Sequence, residues 1–193
     1  MAFPRDDRIN TLKKVTWNYE AAVRSGGDLS LADRYRWAYA SYKVQSVINP
    51  RSKYALVDSM DNFILCLDQV QKEVPNVSNL EGEAYIEAHR ALNDLDVSPE
   101  KIKFLLARAY MKVDRHEKAV PLLTDLQKLG HEFKLYQRRR DRMGIAMDSK
   151  GPIELGASPY RLQESELEQV NLLLGQAYQK TGHSKEAIQA LRD

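Results

Sequence analysis

Apolar residues recur along the chain at spacings of three and four, in blocks separated by glycine, proline and short polar runs. That periodicity predicts amphipathic helices throughout. The first block places Ile9, Leu12, Val15, Tyr19, Ala22 and Val23 together and stops at Ser25-Gly26-Gly27, where two glycines supply a C-cap and a turn. Asp28 or Ser30 can cap a second helix that runs to Ile48 and is halted by Asn49-Pro50. Its residues Leu31, Tyr35, Ala38, Tyr39 and Tyr42 share one face, while Trp37, Val44 and Ile48 occupy the other, so it is expected to be covered on both sides. A third helix over 53–74 carries the stripe Leu56, Met60, Phe63, Leu67 and Val70. A fourth starts at Ser78 or Asn79 and holds Leu80, Ala84, Ala88, Ala91 and Leu95.

Ser98-Pro99-Glu100 is a strong helix start: a hydroxyl cap, proline at the first helical position, then an acid at the positive end of the dipole. Ile102, Leu105, Leu106, Ala109, Tyr110 and Val113 follow at helical spacing. After the polar turn Asp114-Arg115-His116, a second helix carries Ala119, Val120, Leu122, Leu123 and Leu126, with Pro121 expected in its first turn and Gly130 at its end. Periodicity then fades, and Gly144, Gly151, Pro152, Gly156 and Pro159 predict a loop over 144–160. Helical spacing returns from Gln163 through Leu167, Val170, Leu174, Ala177 and Tyr178, turns at Thr181-Gly182-His183, and resumes with Ala187, Ile188 and Leu191.

Two of these hairpins share one layout. Leu106-Ala107-Arg108-Ala109-Tyr110 is followed by Ala119 and Leu123, and Leu174-Gly175-Gln176-Ala177-Tyr178 by Ala187 and Leu191. A small residue on the first helix lets the second approach, the tyrosine fills the space between them, and the alanine sits at the crossing. The pattern resembles the tetratricopeptide repeat, L-G-x2-Y followed by A-x3-F. The copy over 174–191, with Gly182 at its turn, matches closely. The earlier copy has Ala107 and Asp114 where the glycines usually stand, and Lys103 and Asn171 replace the family's early tryptophan in the two copies. Glu100 and Glu168 are 68 residues apart, about two 34-residue periods, yet 134–167 does not fit the motif and is read as a loop insertion between adjacent repeats.

The expected architecture is therefore all-α: a right-handed array of antiparallel helix pairs, an α-solenoid resembling stacked tetratricopeptide repeats. One pair cannot bury its apolar faces alone, so pairs must stack. The expected organisation is an N-terminal array over 1–130 ending in the 98–130 hairpin, a basic segment and insertion over 131–162, and a C-terminal hairpin over 163–193 that stops early.

The composition narrows the class of function. Hydrophobic residues form 43% and charged ones 29%, which suits a folded domain rather than a disordered tail. No run of about 18 apolar residues could cross a membrane, and the charged start Arg5-Asp6-Asp7 leaves no signal-peptide core. Cys66 is alone and lies among apolar residues, which predicts a buried free thiol. These features lead us to expect an intracellular protein, cytoplasmic or nuclear. Catalytic chemistry finds no support: His89, His116, His131 and His183 stand apart, Val120 and Leu135 occupy the positions where zinc-protease helices carry a second histidine, and no phosphate loop exists. No enzyme, metal or cofactor is expected.

The resemblance implies a scaffold or adaptor that holds a protein or peptide partner, within a larger complex, in a concave groove lined by the first helix of each pair. On that reading Phe104, Arg108 and Lys112 form one groove stripe and Leu172, Gln176 and Lys180 the equivalent one. Phe104 and Leu172 either anchor the partner or simply pack on the preceding helix. The lysine and asparagine pair with which some family members clamp a chaperone C-terminus is absent, because Phe104, Arg108, Leu172 and Gln176 stand there. The alternative function lies in the run Lys134, Arg138, Arg139, Arg140 and Arg142, whose net +4 over nine residues suits nucleic acid or another anionic partner, or else a solvated helix face. The overall charge of +2 gives the chain no general attraction for nucleic acid. Eight of the 16 aromatic residues fall in the first 54, where helical spacing favours core packing over a binding surface. Ala187, Ile188 and Leu191 should need cover, which makes self-association through this end a further expectation.

Overall fold

In a computed structural model that describes residues 4–49, 52, 54–73, 97–143 and 164–192, the described residues form seven helices and no strand. These are α1 (Pro4–Arg24), α2 (Leu31–Ile48), α3 (Val57–Glu73), α4 (Pro99–Lys112), α5 (His116–Met143), α6 (Glu164–Lys180) and α7 (Ser184–Arg192). Each packs on the next in chain order, and α4 also meets α6. This is the packing of a helical repeat array. The expected helix over 78–95 and the expected loop over 144–160 lie outside the described residues.

The ends of the helices follow from local chemistry. Ser30 caps α2: its Oγ accepts from the Asp33 amide at 3.2 Å and donates to the Asp33 carboxylate at 2.7 Å. This bond is the largest influence holding the Asp33 carboxyl below its usual range. The Tyr19 hydroxyl donates to the same carboxylate at 3.1 Å, so the cap also ties α1 to α2. Ser98 caps α4 by accepting from the Lys101 amide at 3.2 Å, with Pro99 opening the helix.

One turn closes three of the hairpins. Gly26, Asp114 and Gly182 adopt left-handed backbone with φ of 81°, 59° and 82°. The following amides reach back to the carbonyls of Ala22, Tyr110 and Tyr178 at 3.0, 2.9 and 2.9 Å. These are the long bonds of a Schellman cap. Asp114 thus does the work of the turn glycine it replaces, since aspartate tolerates this region better than most residues. The crossing geometry agrees: a Cβ on Gly175 would fall 2.7 Å from Leu191 Cγ, and Ala107 at the matching place is fully buried.

Two boundaries differ from the sequence reading. The helix expected to end at Gly130 continues through it to Met143. A lone glycine lowers helix stability by only about 1 kcal/mol, while Leu126 and Leu129 are buried on either side of the preceding turn. Pro121 lies in the second turn rather than the first, because α5 begins at His116.

The core is one cluster running from Leu31, Tyr35 and Tyr42 of α2 through Phe63 and Cys66 of α3 to α4, α5 and α6. Tyr42 and Phe63 meet with ring centroids 6.1 Å apart. On the side of α2 opposite Tyr35, Ala40 and Val44 are buried, but Trp37 is half-buried and Ile48 is exposed, so the expected cover on that side is partial. Trp17, by contrast, is 66% exposed and forms no part of the core.

The densest position belongs to α4. Ile102, Phe104, Leu105 and Ala107 have no exposed surface, and together they span the circumference of the helix. Phe104→Ala should therefore lower unfolding free energy by about 3–5 kcal/mol in a urea titration, and a loss under about 1 kcal/mol would contradict its place in the core.

Burial also sets the response to alkali. It raises Tyr35 well above 10.0, raises Tyr42 and Tyr110, and lifts the Cys66 thiol from 9.0 to about 12. The native state holds these protons after the unfolded chain has released them. Their stabilisation is complete below about pH 9 and disappears as pH climbs toward about 12. Lys43 and Lys112, held below 10.5, act in the opposite sense. The denaturation midpoint should fall steadily above about pH 9; a midpoint that rises there would refute this account.

Candidate functional site

The first helices of the two C-terminal pairs, α4 and α6, sit side by side and present the positions that the sequence assigns to a groove. The residues there do not share one environment. Phe104 is fully buried, so the stripe assigned to partner binding loses its apolar anchor. The alternative reading of Phe104, as a packing residue, is the one the fold realises. The physical reason is the coverage of α4: α3, α5 and α6 all pack on it, and in its first half only Lys103 keeps partial access to solvent.

The next positions along α4 open progressively. Arg108 is half-buried, with its guanidinium carbon 5.6 Å from the Phe104 ring centroid. Lys112 is exposed, and desolvation followed by the nearby charge of Arg108 lowers its ammonium below the usual range. On α6, Leu172 is 51% exposed, and Gln176 and Lys180 are exposed as well. The six candidate residues therefore divide into one core residue and five that reach solvent.

Charge enters the site from a helix that sequence reasoning did not connect with it. Lys43 of α2 is half-buried and lies 5.3 Å from the ring centroid of Tyr39. Its ammonium is pulled down chiefly by burial and then by the charge of Lys101, with Arg108 acting in the same direction and Glu166 against it. The Tyr42 hydroxyl lies within electrostatic reach of Arg108 and Glu166, and that of Tyr35 within reach of Glu100 and Glu166. So the charges of α4 and α6 bear on ionisable groups of α2.

At the base of this region, Lys101 Nζ donates to both carboxylate oxygens of Glu166. The Lys101 side chain is 3% exposed and that of Glu166 15%. A lysine in the first turn of a helix opposes the dipole, which is the one signal in the sequence that Lys101 has an unusual partner. Nothing local points to Glu166, 65 residues away. A second cross-link joins α5 to α6, where Gln127 donates to Asn171 at 3.1 Å.

The other candidates take simpler places. His116 Nδ1 lies 3.3 Å from Met111 Sδ, and its Nε2 3.8 Å from the Asp114 carboxylate. Among the described residues no group of three or more histidine, cysteine, aspartate or glutamate side chains could hold a metal ion, and no helix is long and apolar enough to cross a membrane. The backbone of the basic run belongs to α5. The side chains of Lys134, Arg138, Arg139, Arg140 and Arg142 lie outside the described residues.

Removing one partner of the Lys101–Glu166 pair strands the other charge. Lys101→Met alone should destabilise by roughly 2–4 kcal/mol, and the double variant Lys101→Met/Glu166→Leu should recover most of that loss. A double variant as unstable as the single one would show that the cost came from shape and not from an orphaned charge.

Comparison with known proteins agrees with the repeat geometry. No curated protein and no solved structure matches the chain. The family model described as tetratricopeptide repeat matches residues 168–193, the segment that contains most of α6, the Gly182 turn and α7. The C-terminal hairpin is thus similar to a tetratricopeptide repeat, and such a repeat supports a protein–protein interaction scaffold in general.

Proposed function

We propose that the protein is a non-catalytic adaptor that holds a segment of a partner protein along the concave side of α4 and α6. The observation that carries this reading is positional. Arg108 and Lys112 on α4, and Gln176 and Lys180 on α6, occupy matching places in successive repeats, and all four keep access to solvent. Leu172 supplies the apolar contact that Phe104 cannot, since it is half exposed where Phe104 is sealed. An apolar residue beside longer polar ones suits an amphipathic segment, whose hydrophobic side chain anchors and whose polar side chains set its register.

A second reading keeps the basic run of α5 in view. Helical backbone through Met143 sets Lys134, Arg138 and Arg142 one turn apart, a spacing that suits an anionic partner.

The two readings separate in a site-directed photo-crosslinking experiment. A photoreactive amino acid at Gln176 should label a partner protein in native extract, and the same group at Thr124 on the second helix of the pair should not. Leu172→Ala should weaken capture of that partner by about 1–3 kcal/mol while leaving the melting temperature nearly unchanged. Labelling at Thr124 alone, or capture abolished by nuclease and by moderate salt, would reject the groove in favour of the basic run.

A further inference from the structure

Two helices each leave a large apolar side chain in water at the middle of a charged stripe. Trp17 on α1 is 66% exposed and Leu65 on α3 49%. Tryptophan buries a large apolar area when a contact covers it, and the hot spots of protein contacts are enriched in it. Around Trp17, Lys13, Lys14, Ala21 and Arg24 are exposed, and at about 100° per residue they share its face of the helix. Glu20 is the one acid on that face, and its 3.6 Å pair with Arg24 is exposed, which holds the guanidinium only weakly. Around Leu65, Asp58, Asp61 and Asp68 are exposed on one face of α3, with Lys72 as its single base.

The two stripes match in order as well as in sign. Trp17 follows Lys14 by three residues and precedes Arg24 by seven, while Leu65 precedes Asp68 by three and follows Asp58 by seven. Laid antiparallel with Trp17 against Leu65, the helices set Lys14 opposite Asp68 and Arg24 opposite Asp58, a span of about 15 Å. Ala21 then falls beside Asp61, where its small side chain leaves room. Laid parallel, Arg24 meets Lys72 and the match is lost. Within one chain the stripes do not meet, because both helices pack on α2 and turn these residues to solvent.

We propose that α1 of one copy of this chain lies antiparallel along α3 of a second copy, with Trp17 seated on Leu65 between Lys14–Asp68 and Arg24–Asp58 pairs. The apolar pair supplies attraction, and the flanking charges set direction and register. One helix pair is a small contact, so the association is weak, in the micromolar range or above. It uses neither the exposed residues of α4 and α6 nor the basic run of α5, and it stands independently of the adaptor reading.

Sedimentation equilibrium of the full chain from about 5 to 300 μM should give a weight-average mass that rises above the 22.2 kDa of one chain. Sodium chloride raised from about 0.05 M to about 0.3 M should weaken that rise, and Trp17→Ala should weaken association about 10-fold or more. Lys14→Glu and Asp68→Lys, each checked for native helicity by circular dichroism, should separately leave the chain monomeric. An equimolar mixture of the two should associate again, because each reversed charge then faces the other. Arg24→Glu and Asp58→Lys should behave in the same way. A wild-type chain that stays monomeric at about 300 μM overturns the proposal, as does undiminished association after Trp17→Ala, or rescue of Lys14→Glu by Asp61→Lys in place of Asp68→Lys. If Asp68→Lys abolishes association and Lys14→Glu does not, the α3 stripe takes another basic segment, such as the run in α5, and the proposal is wrong. Ile188→Gln should change nothing; dissociation by that substitution alone would move the contact to α7.

Discussion

The array depends on the burial of α4 from all sides. A helix at the edge of a solenoid can leave its polar residues to water, but in the first half of α4 only Lys103, paired with Asp125, reaches it. The other residues there must satisfy their chemistry inside the protein. Ser98 accepts from the backbone, Phe104 and Ile102 fill space, and Lys101 is paired with Glu166. That last pairing reaches across to α6 and joins consecutive repeats at their first helices. Buried ion pairs add little net stability over an apolar pair, yet they are severe about partner and position. Lys101 therefore works mainly to set how α6 lies against α4.

Around that helix the hairpins are closed by a repeated local device. A left-handed residue at Gly26, Asp114 or Gly182 satisfies the carbonyls at the end of one helix and turns the chain toward the next. Small residues then decide how closely the paired helices approach. Gly175 leaves room for Leu191, and Ala107 occupies the matching place under full burial. Short-range turn chemistry and close crossing together make a unit that can stack. Lys101–Glu166 and Gln127–Asn171 are the long-range links that hold one unit against the next.

The same burial shapes what α4 and α6 expose. With Phe104 withdrawn into the core, the surface over α4 begins at Arg108 and is dominated by charge. On α6, Leu172 is half exposed at the matching motif position. The polarity of this surface is a consequence of the fold's packing and not of the two motif copies taken singly.

The sequence by itself determined what depends on near neighbours. Helical periodicity, the Ser30 and Ser98 caps, the stops at Gly26 and Gly182, the matching hairpins after Leu106 and Leu174, and a buried Cys66 were all legible, because each arises from residues within a few turns of one another. Only the tertiary structure decided which side of a helix would be sealed and which charges would meet. Gly130 read as a stop from its own neighbourhood, yet α5 passes through it, held by burial of Leu126 and Leu129. Phe104 and Leu172 hold the same motif position, but one is enclosed by neighbouring helices and the other is half exposed. Lys101 meets Glu166 across 65 residues of sequence, and the charge of Arg108 bears on Lys43 from another helix pair. Desolvation and Coulomb interaction act through space, so no local pattern in the chain could have announced them.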